Sequence, residues 1–311
     1  MNIYPSIQEF KSPEKTVVTL GTFDGVHKGH KVLLQKLTDA AAAIGCQSVV
    51  LTFFPHPRMV LQQASDVKLL NTMDEKAALL EAAGVDNLVI HPFSHEFSRL
   101  TAEEFVRDIL VEKLHVAKIV IGHDHRFGRN RTATTEDLVA MGREYGFEVE
   151  QITALQVNEN NISSTRIRNA LTEGNIALTN EYLGYPYFIT GVVSTGKQLG
   201  RTIGYPTANI AVTEDYKLIP QRGVYAVSAV IGSRIVFGMM NIGIRPTVDG
   251  THQTIEVHFF DFDADIYDAE LKISVHYHLR SEHKFESLDA LKEQLGRDKK
   301  DSIAYFNSHH L

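Results

Sequence analysis

His27 and His30, two imidazoles three residues apart in the run GTFDGVHKGH (Gly21–His30), give this chain its first chemical signal. An apolar, β-prone run, Thr16–Leu20, leads into them, and a helical pattern follows. A strand that turns through glycines into a helix offers backbone N–H groups and a positive dipole end to an anion. Gly21, Gly25 and Gly29 permit that turn, with Phe23 and Asp24 inside it. Imidazoles placed there can donate to a phosphate as negative charge develops on it. The run holds no covalent nucleophile, so it reads as a nucleotide-phosphate site that works by positioning and charge.

Four further stretches carry groups of the same kind. Pro55-His56-Pro57-Arg58 follows an apolar strand pattern, and its prolines fix the backbone on both sides of His56, blocking helix or ladder there. Gly122 to Arg131 holds Arg126, Arg129 and Arg131 close to two glycines, which suits bidentate grip on phosphates. His123, Asp124 and His125 stand side by side on that loop, and adjacent residues rarely converge on one ion. Ser163, Ser164 and Thr165 precede a helical pattern as capping hydroxyls, followed by Arg166 and Arg168. The run Thr195–Asn209 combines Gly196, Lys197, Gly200, Arg201 and Gly204 in a phosphate-cradling pattern without the GK[ST] ending of a P-loop. Its Pro-Thr-Ala-Asn end puts Thr207 and Asn209 on one face of an extended segment, where two neutral oxygens can complete a Mg²⁺ shell shared with nucleotide phosphates. Asp261, Asp263 and Asp265 alternate like a calcium loop but lack its glycine and terminal Glu, so they read as a solvated turn. His276 and His278 share a strand face without a third ligand.

These strings together resemble one family. His27-Lys28-Gly29-His30 is similar to the HxGH signature of nucleotidyltransferases, and the full run Gly21–His30 resembles that of bacterial bifunctional riboflavin kinase/FAD synthetases. The Pro55–Pro57 loop, the Ile162–Arg168 string, Pro206–Asn209, Asn241–Thr247 and Thr254–Phe259 resemble further motifs of that family. His125 stands where an aromatic is usual, Thr132–Ala133 where a glycine is usual, and Val248 where an aromatic is common. The resemblance implies that His27 and His30 stabilise the α-phosphate of ATP, and that Ser164, Arg166 and Arg168 hold the leaving pyrophosphate. It implies flavin contacts at Pro55, His56, Pro57, Arg126 and Arg280. It implies Mg²⁺ on Thr207 and Asn209, and Glu256 as the general base toward the riboflavin hydroxyl. Glu256 alternates with Ile255 and Val257, so it faces away from them. The implied partners are the small molecules riboflavin, FMN and ATP. Other nucleotidyltransferase substrates, and a flavin-binding regulatory or storage protein with decayed catalysis, are the competing readings; both motif sets are intact.

The elements that must position these groups fall into two patterns. Up to about residue 183, strands alternate with helices: Ser48–Phe53, Asn87–Ile90, Lys118–Ile121 and Phe147–Gln151 as strands, with capping boxes at Thr72 and Thr101 opening helices. That predicts an α/β, doubly wound parallel sheet of nucleotidyltransferase type with ligands at the strands' carboxyl ends. From Gly184 the pattern becomes short strands without helices, and a helix closes the chain at Leu288–Phe306. That predicts a small antiparallel β-barrel with a C-terminal helix. The expected domains are therefore 1–183 and 184–311. At 311 residues two domains are the natural prior, and 43% apolar residues suffice for real cores. A net charge of −7 lends nothing to non-specific nucleic-acid binding. No apolar run has the length of a membrane span, the first fifteen residues lack a secretory pattern, and the single Cys46 excludes an internal disulfide. A cytoplasmic protein is expected; oligomeric state is not legible.

Overall fold

The structure, a computed structural model, describes residues 1–12, 14–61, 67–122, 126–153, 162–195, 200, 203–247 and 250–309. It divides into two compact units, Met1–Ser164 and Thr165–Leu311. The first unit runs β1 (Asn2–Tyr4), β2 (Thr16–Leu20), α1 (Lys28–Ala43), β3 (Gln47–Phe54), α2 (Pro57–Leu61), α3 (Met73–Ala82), β4 (Asn87–Pro92), α4 (Ala102–Glu104), β5 (Val116–Ile121), α5 (Thr135–Tyr145) and β6 (Glu148–Gln151). Its six strands form one sheet in the order β1-β4-β3-β2-β5-β6, every pair parallel.

Alternation along the strands explains why helices cover both faces. Val18, Val49, Leu51, Val89, Ile119 and Ile121 point to one face and pack with Phe105, Ile109 and Leu138. Val17, Val50, Leu88 and Val120 point to the other and pack with Leu34 and Leu37 of α1 and Leu80 of α3. Strand order reverses at β2, which lies between β3 and β5. A crevice opens at the carboxyl ends of the strands at such a point, and the turn after β2 is Gly21–His27.

The expected capping boxes are present at Thr72 and Thr101, and a third opens α5 at Thr134. The helix opened by the Thr101 box changes its winding. After α4 it continues as a π-helix, Phe105–Val111, with Glu112 N–H bonded to the Arg107 carbonyl and Leu114 N–H to that of Ile109. The wider turn keeps Phe105, Ile109 and Leu114 on one buried face.

The second unit contains α6 (Ser164–Thr172, all but its first residue), α7 (Ile176–Leu183), β7 (Tyr187–Ser194), β8 (Ala208–Ala211), β9 (Gly223–Ile231), β10 (Arg234–Thr247), β11 (Gly250–Phe259), β12 (Glu270–Ser281) and α8 (Leu288–Ser308). The strands close into an antiparallel barrel in the order β10-β11-β8-β7-β12-β9. Helices α6 and α7 pack with this barrel: Gln221 N–H donates to the Leu171 carbonyl, and Asn180 Nδ2 to that of Val275. The change of composition at residue 183 therefore falls inside the second compact unit. Helix α8 is tied to β12 by a bidentate pair between Arg280 and Asp298, 2.7–3.2 Å, with Asp298 only 3% exposed.

Candidate functional site

In the first unit, the turn after β2 is tightly wound. Phe23, Gly25 and Val26 all have positive φ, at 46°, 87° and 35°. A β-branched residue in that region is a genuine outlier, and strain of this kind gathers at functional sites. Gly25 takes its φ without the penalty that a side chain would add. The Phe23 ring lies against Gly21 and is tilted against His30, 5.1 Å between centroids. Asp24 is fully buried, its Oδ1 accepting the Leu70 N–H at 2.9 Å and its backbone carbonyl accepting the Ser164 hydroxyl at 2.9 Å. The turn is thus bonded to Ser164, the last residue of the first unit.

His27 is the N-cap of α1, and its Nδ1 accepts the His30 N–H at 3.3 Å. An accepting Nδ1 carries no proton, so the proton sits on Nε2. His30 stacks on His27, 3.6 Å between centroids, and its own Nδ1 is buried without a partner. Leaving that nitrogen bare costs less than burying an unpaired N–H, which again puts the proton on Nε2. Burial pushes the His27 imidazole down to about 4, against an opposing pull from Asp24. Burial also lowers His30 well below its ordinary value, reinforced by His27 and Lys76. Near neutral pH the pair therefore offers two neutral N–H donors at a helix N-terminus.

The depressed His27 value has a consequence for stability. Between about 4 and 6.5 the unfolded chain binds a proton that the folded chain does not, so stability falls as pH drops through that window. From 6.5 to about 4 the full effect is on the order of 3 kcal/mol. Urea unfolding of the first unit near pH 7 and near pH 4 should show a clearly lower midpoint in acid, and His27→Asn should shrink the difference.

His56 is 8% exposed, and its Nδ1 accepts the Arg58 N–H at 3.1 Å. Pro57, expected to block a helix, instead opens α2, because the first helical position needs no N–H and favours proline's φ. Arg126 is exposed, while the neighbouring Phe127 is buried against Phe105. Arg129 is engaged with the Arg99 carbonyl at 2.8 Å. His123, Asp124 and His125 lie outside the described residues. Ser164 opens α6 rather than preceding it, and Arg166 and Arg168 lie inside that helix. Buried Ile167, Ala170 and Leu171 impose the helical period. Residues two apart on a helix do not share a face, so the two arginines diverge.

In the second unit the barrel register builds a row that sequence spacing could not display. Glu256 of β11 pairs with Asn209 of β8 on one side and Asn241 of β10 on the other. Antiparallel partners have Cα atoms about 4.5–5.5 Å apart, so the carboxylate stands between two carboxamides, all three half-buried. Thr207 precedes Asn209 by two and is half-buried too. His258 follows Glu256 on the same face, and its Nδ1–H donates to the Pro206 carbonyl at 2.8 Å, pinning the segment that carries Thr207. Asn241 and His258 were given no role by the sequence; for His258 its alternation with Glu256 on β11 was the available signal, whereas Asn241 joins the row only through the β10–β11 register. Gly200 accepts the Tyr205 and Ile203 N–H groups, and a Cβ there would meet the Tyr205 carbonyl, so this loop closes only around glycine. Gly204 is described with it, at φ 84°. Gly196, Lys197 and Arg201 lie outside the described residues. The Arg280 guanidinium is committed to Asp298 and lies over the Phe285 ring at 5.5 Å. Among the described residues no cluster of three acidic, His or Cys ligands occurs. Oxygens from Thr207 and Asn209 nonetheless form a hard donor pair that fits Mg²⁺ once phosphate oxygens join it.

Comparison with known proteins matches two successive parts of the chain to two family models. A family model described as FAD synthetase matches residues 9–166, and one described as riboflavin kinase matches residues 183–306. The bifunctional riboflavin kinase/FMN adenylyltransferase of Escherichia coli K12 is 38% identical over 294 residues, covering 94% of this chain and 93% of the relative. That of Listeria monocytogenes is 41% identical over 294 residues, covering 93% and 92%. A solved structure from Streptococcus pneumoniae, titled a macrolide-efflux protein, superposes with a TM-score of 0.88 at 33% identity, covering 97% of this chain and 98% of that one. No helix among the described residues is long and apolar enough to cross a membrane.

Proposed function

The chain belongs to the bifunctional riboflavin kinase/FMN adenylyltransferase family, and on that premise we propose how its own residues divide the two reactions. It phosphorylates riboflavin with ATP to FMN, and adenylylates FMN with ATP to FAD and pyrophosphate. The observation that carries the reading is that each compact unit gathers its own phosphate-handling set: the imidazole pair on the strained turn, and Glu256 between Asn209 and Asn241.

In the kinase unit, Glu256 takes the proton from the terminal hydroxyl of riboflavin as that oxygen attacks the γ-phosphorus. Thr207 and Asn209 would hold Mg²⁺, which when bound neutralises phosphate charge. His258 fixes the segment that bears them. Gly200 and Gly204 shape the phosphate loop, to which Gly196, Lys197 and Arg201 belong. In the adenylylating unit the phosphate of FMN is already a nucleophile, so positioning and charge stabilisation suffice. His27 and His30 donate from Nε2 to the α-phosphate as it is attacked. Ser164 holds the turn through the Asp24 carbonyl, and Arg166 and Arg168, which follow it on α6, are assigned by the motif alone to the leaving pyrophosphate. Pro55, His56, Pro57 and Arg126 are assigned to FMN and Arg280 to riboflavin. Reliance on ATP, the lone Cys46 and the acidic net charge favour a cytoplasmic setting without nucleic-acid partners.

Incubation with riboflavin, ATP and Mg²⁺, followed by chromatography of the flavins, tests the whole. FMN should appear first and then give way to FAD. FMN accumulating without FAD would remove the first unit's assignment, and bound flavin without conversion would favour a binding protein.

A further inference from the structure

Lys76 is 2% exposed, although lysine is almost never fully buried without a partner. It lies on α3, outside the motifs assigned above. Its Nζ donates to the Thr22 carbonyl at 2.7 Å, inside the strained turn. The stretch leading into α3 makes a second contact with that turn, through the Leu70 N–H on Asp24 Oδ1. Between them Asn71 leaves both amide atoms buried and unpaired, a cost that folding alone does not reward.

We propose that Lys76 is a positioning residue for adenylyl transfer, its buried ammonium tying α3 to the turn Gly21–Val26 and offsetting the Asp24 carboxylate beside the paired imidazoles. The proposal rests on the reading of the first unit as the adenylylating one. Among the described residues, the titratable groups facing Lys76 are Asp24 from the turn and His30 from α1, with His27 stacked on His30. Glu75, next to Lys76 on α3, accepts the Thr72 N–H at 3.0 Å. Burial lowers the Lys76 ammonium to about 8, with Asp24 pulling the other way. It is charged below that value and loses its proton as pH rises through it. The turn then keeps the Asp24 carboxylate without its counter-charge, and the donors on α1 lose their fixed seat.

The test follows FMN adenylylation against pH in the full chain and in Lys76→Met and Lys76→Arg, with riboflavin phosphorylation in each protein as the internal standard. In the parent, kcat/KM for adenylylation should decline above about pH 8. Lys76→Met should lower it about 100-fold, the scale expected for misplacing reacting groups by about an ångström, and should remove the alkaline decline. Lys76→Arg should keep much of the rate without that decline, because guanidinium holds its proton past pH 12. An unchanged decline in the arginine variant would overturn the proposal even if Lys76→Met does not fold. So would a methionine variant with the parent's rate. A parent that makes no FAD from FMN would instead remove the underlying reading of the first unit.

Discussion

Glu256→Gln should lower riboflavin phosphorylation by about 10²- to 10⁴-fold, the span that a positioned general base contributes, while supplied FMN is still converted to FAD at the parent rate. The substitution keeps size and hydrogen bonding but removes the site to which the hydroxyl proton can go. Its neighbours make it a clean change. Ile255 and Val257 point into the barrel and hold the register of β11, and the flanking Asn209 and Asn241 can pair with a third carboxamide. Barrel stability should therefore move little, and a loss of rate reads as lost chemistry. The loss should fall on kcat more than on KM, because the carboxylate acts on a proton that moves only in the transition state. Measured rates of FMN formation at saturating ATP decide the matter: a variant that phosphorylates riboflavin within tenfold of the parent removes Glu256 as base and leaves the reaction to positioning alone.

How far these sites can be read from sequence depends on the range of the interaction that makes them. The turn at Gly21–His30 was legible because a strand, a glycine turn and a helix start are each local. The parallel sheet was legible because strands buried on both faces, such as Ser48–Phe53, read as continuous apolar runs. The capping boxes at Thr72 and Thr101 closed as expected because their partners lie three residues away. The row Asn209–Glu256–Asn241 was not legible. It exists only once β8, β10 and β11 are in register, and β8 is four residues long. Helices α6 and α7 carry ordinary apolar stripes, which do not reveal the surface that they cover. Nothing local distinguishes Lys76 from a solvated lysine; its burial follows from the packing of α3 over the turn. Ser163, Ser164 and Thr165 read as hydroxyls ahead of a helix, whereas buried Ile167 draws Ser164 into its first turn and winds Arg166 and Arg168 inside it.

Replacing both His27 and His30 by alanine should cut FAD formation from supplied FMN by about 10³-fold or more, with riboflavin phosphorylation unchanged. Removing a single preorganised donor to a developing anion costs about 10²- to 10³-fold, and the two rings act on one phosphate as a stacked pair, so their effects should not multiply independently. The double variant has a structural consequence as well. His27 caps α1 through Nδ1, and deleting a cap costs about 1 kcal/mol, which could loosen the helix start and mimic a catalytic loss. His27→Asn separates the two, since asparagine is among the best N-caps and cannot place an N–H where Nε2 stands. The asparagine protein should unfold at the parent's urea midpoint near pH 7 and still be slow in adenylylation. Were it to make FAD at the parent rate, His27 would be a cap and nothing more, and the phosphate donor would have to be His30 alone. Because both imidazoles are neutral near pH 7, the lost factor should also stay constant between about pH 6 and 8. A loss that grows only as pH falls through 6.5 would show that the rings act as cations, and would contradict the burial that holds them neutral.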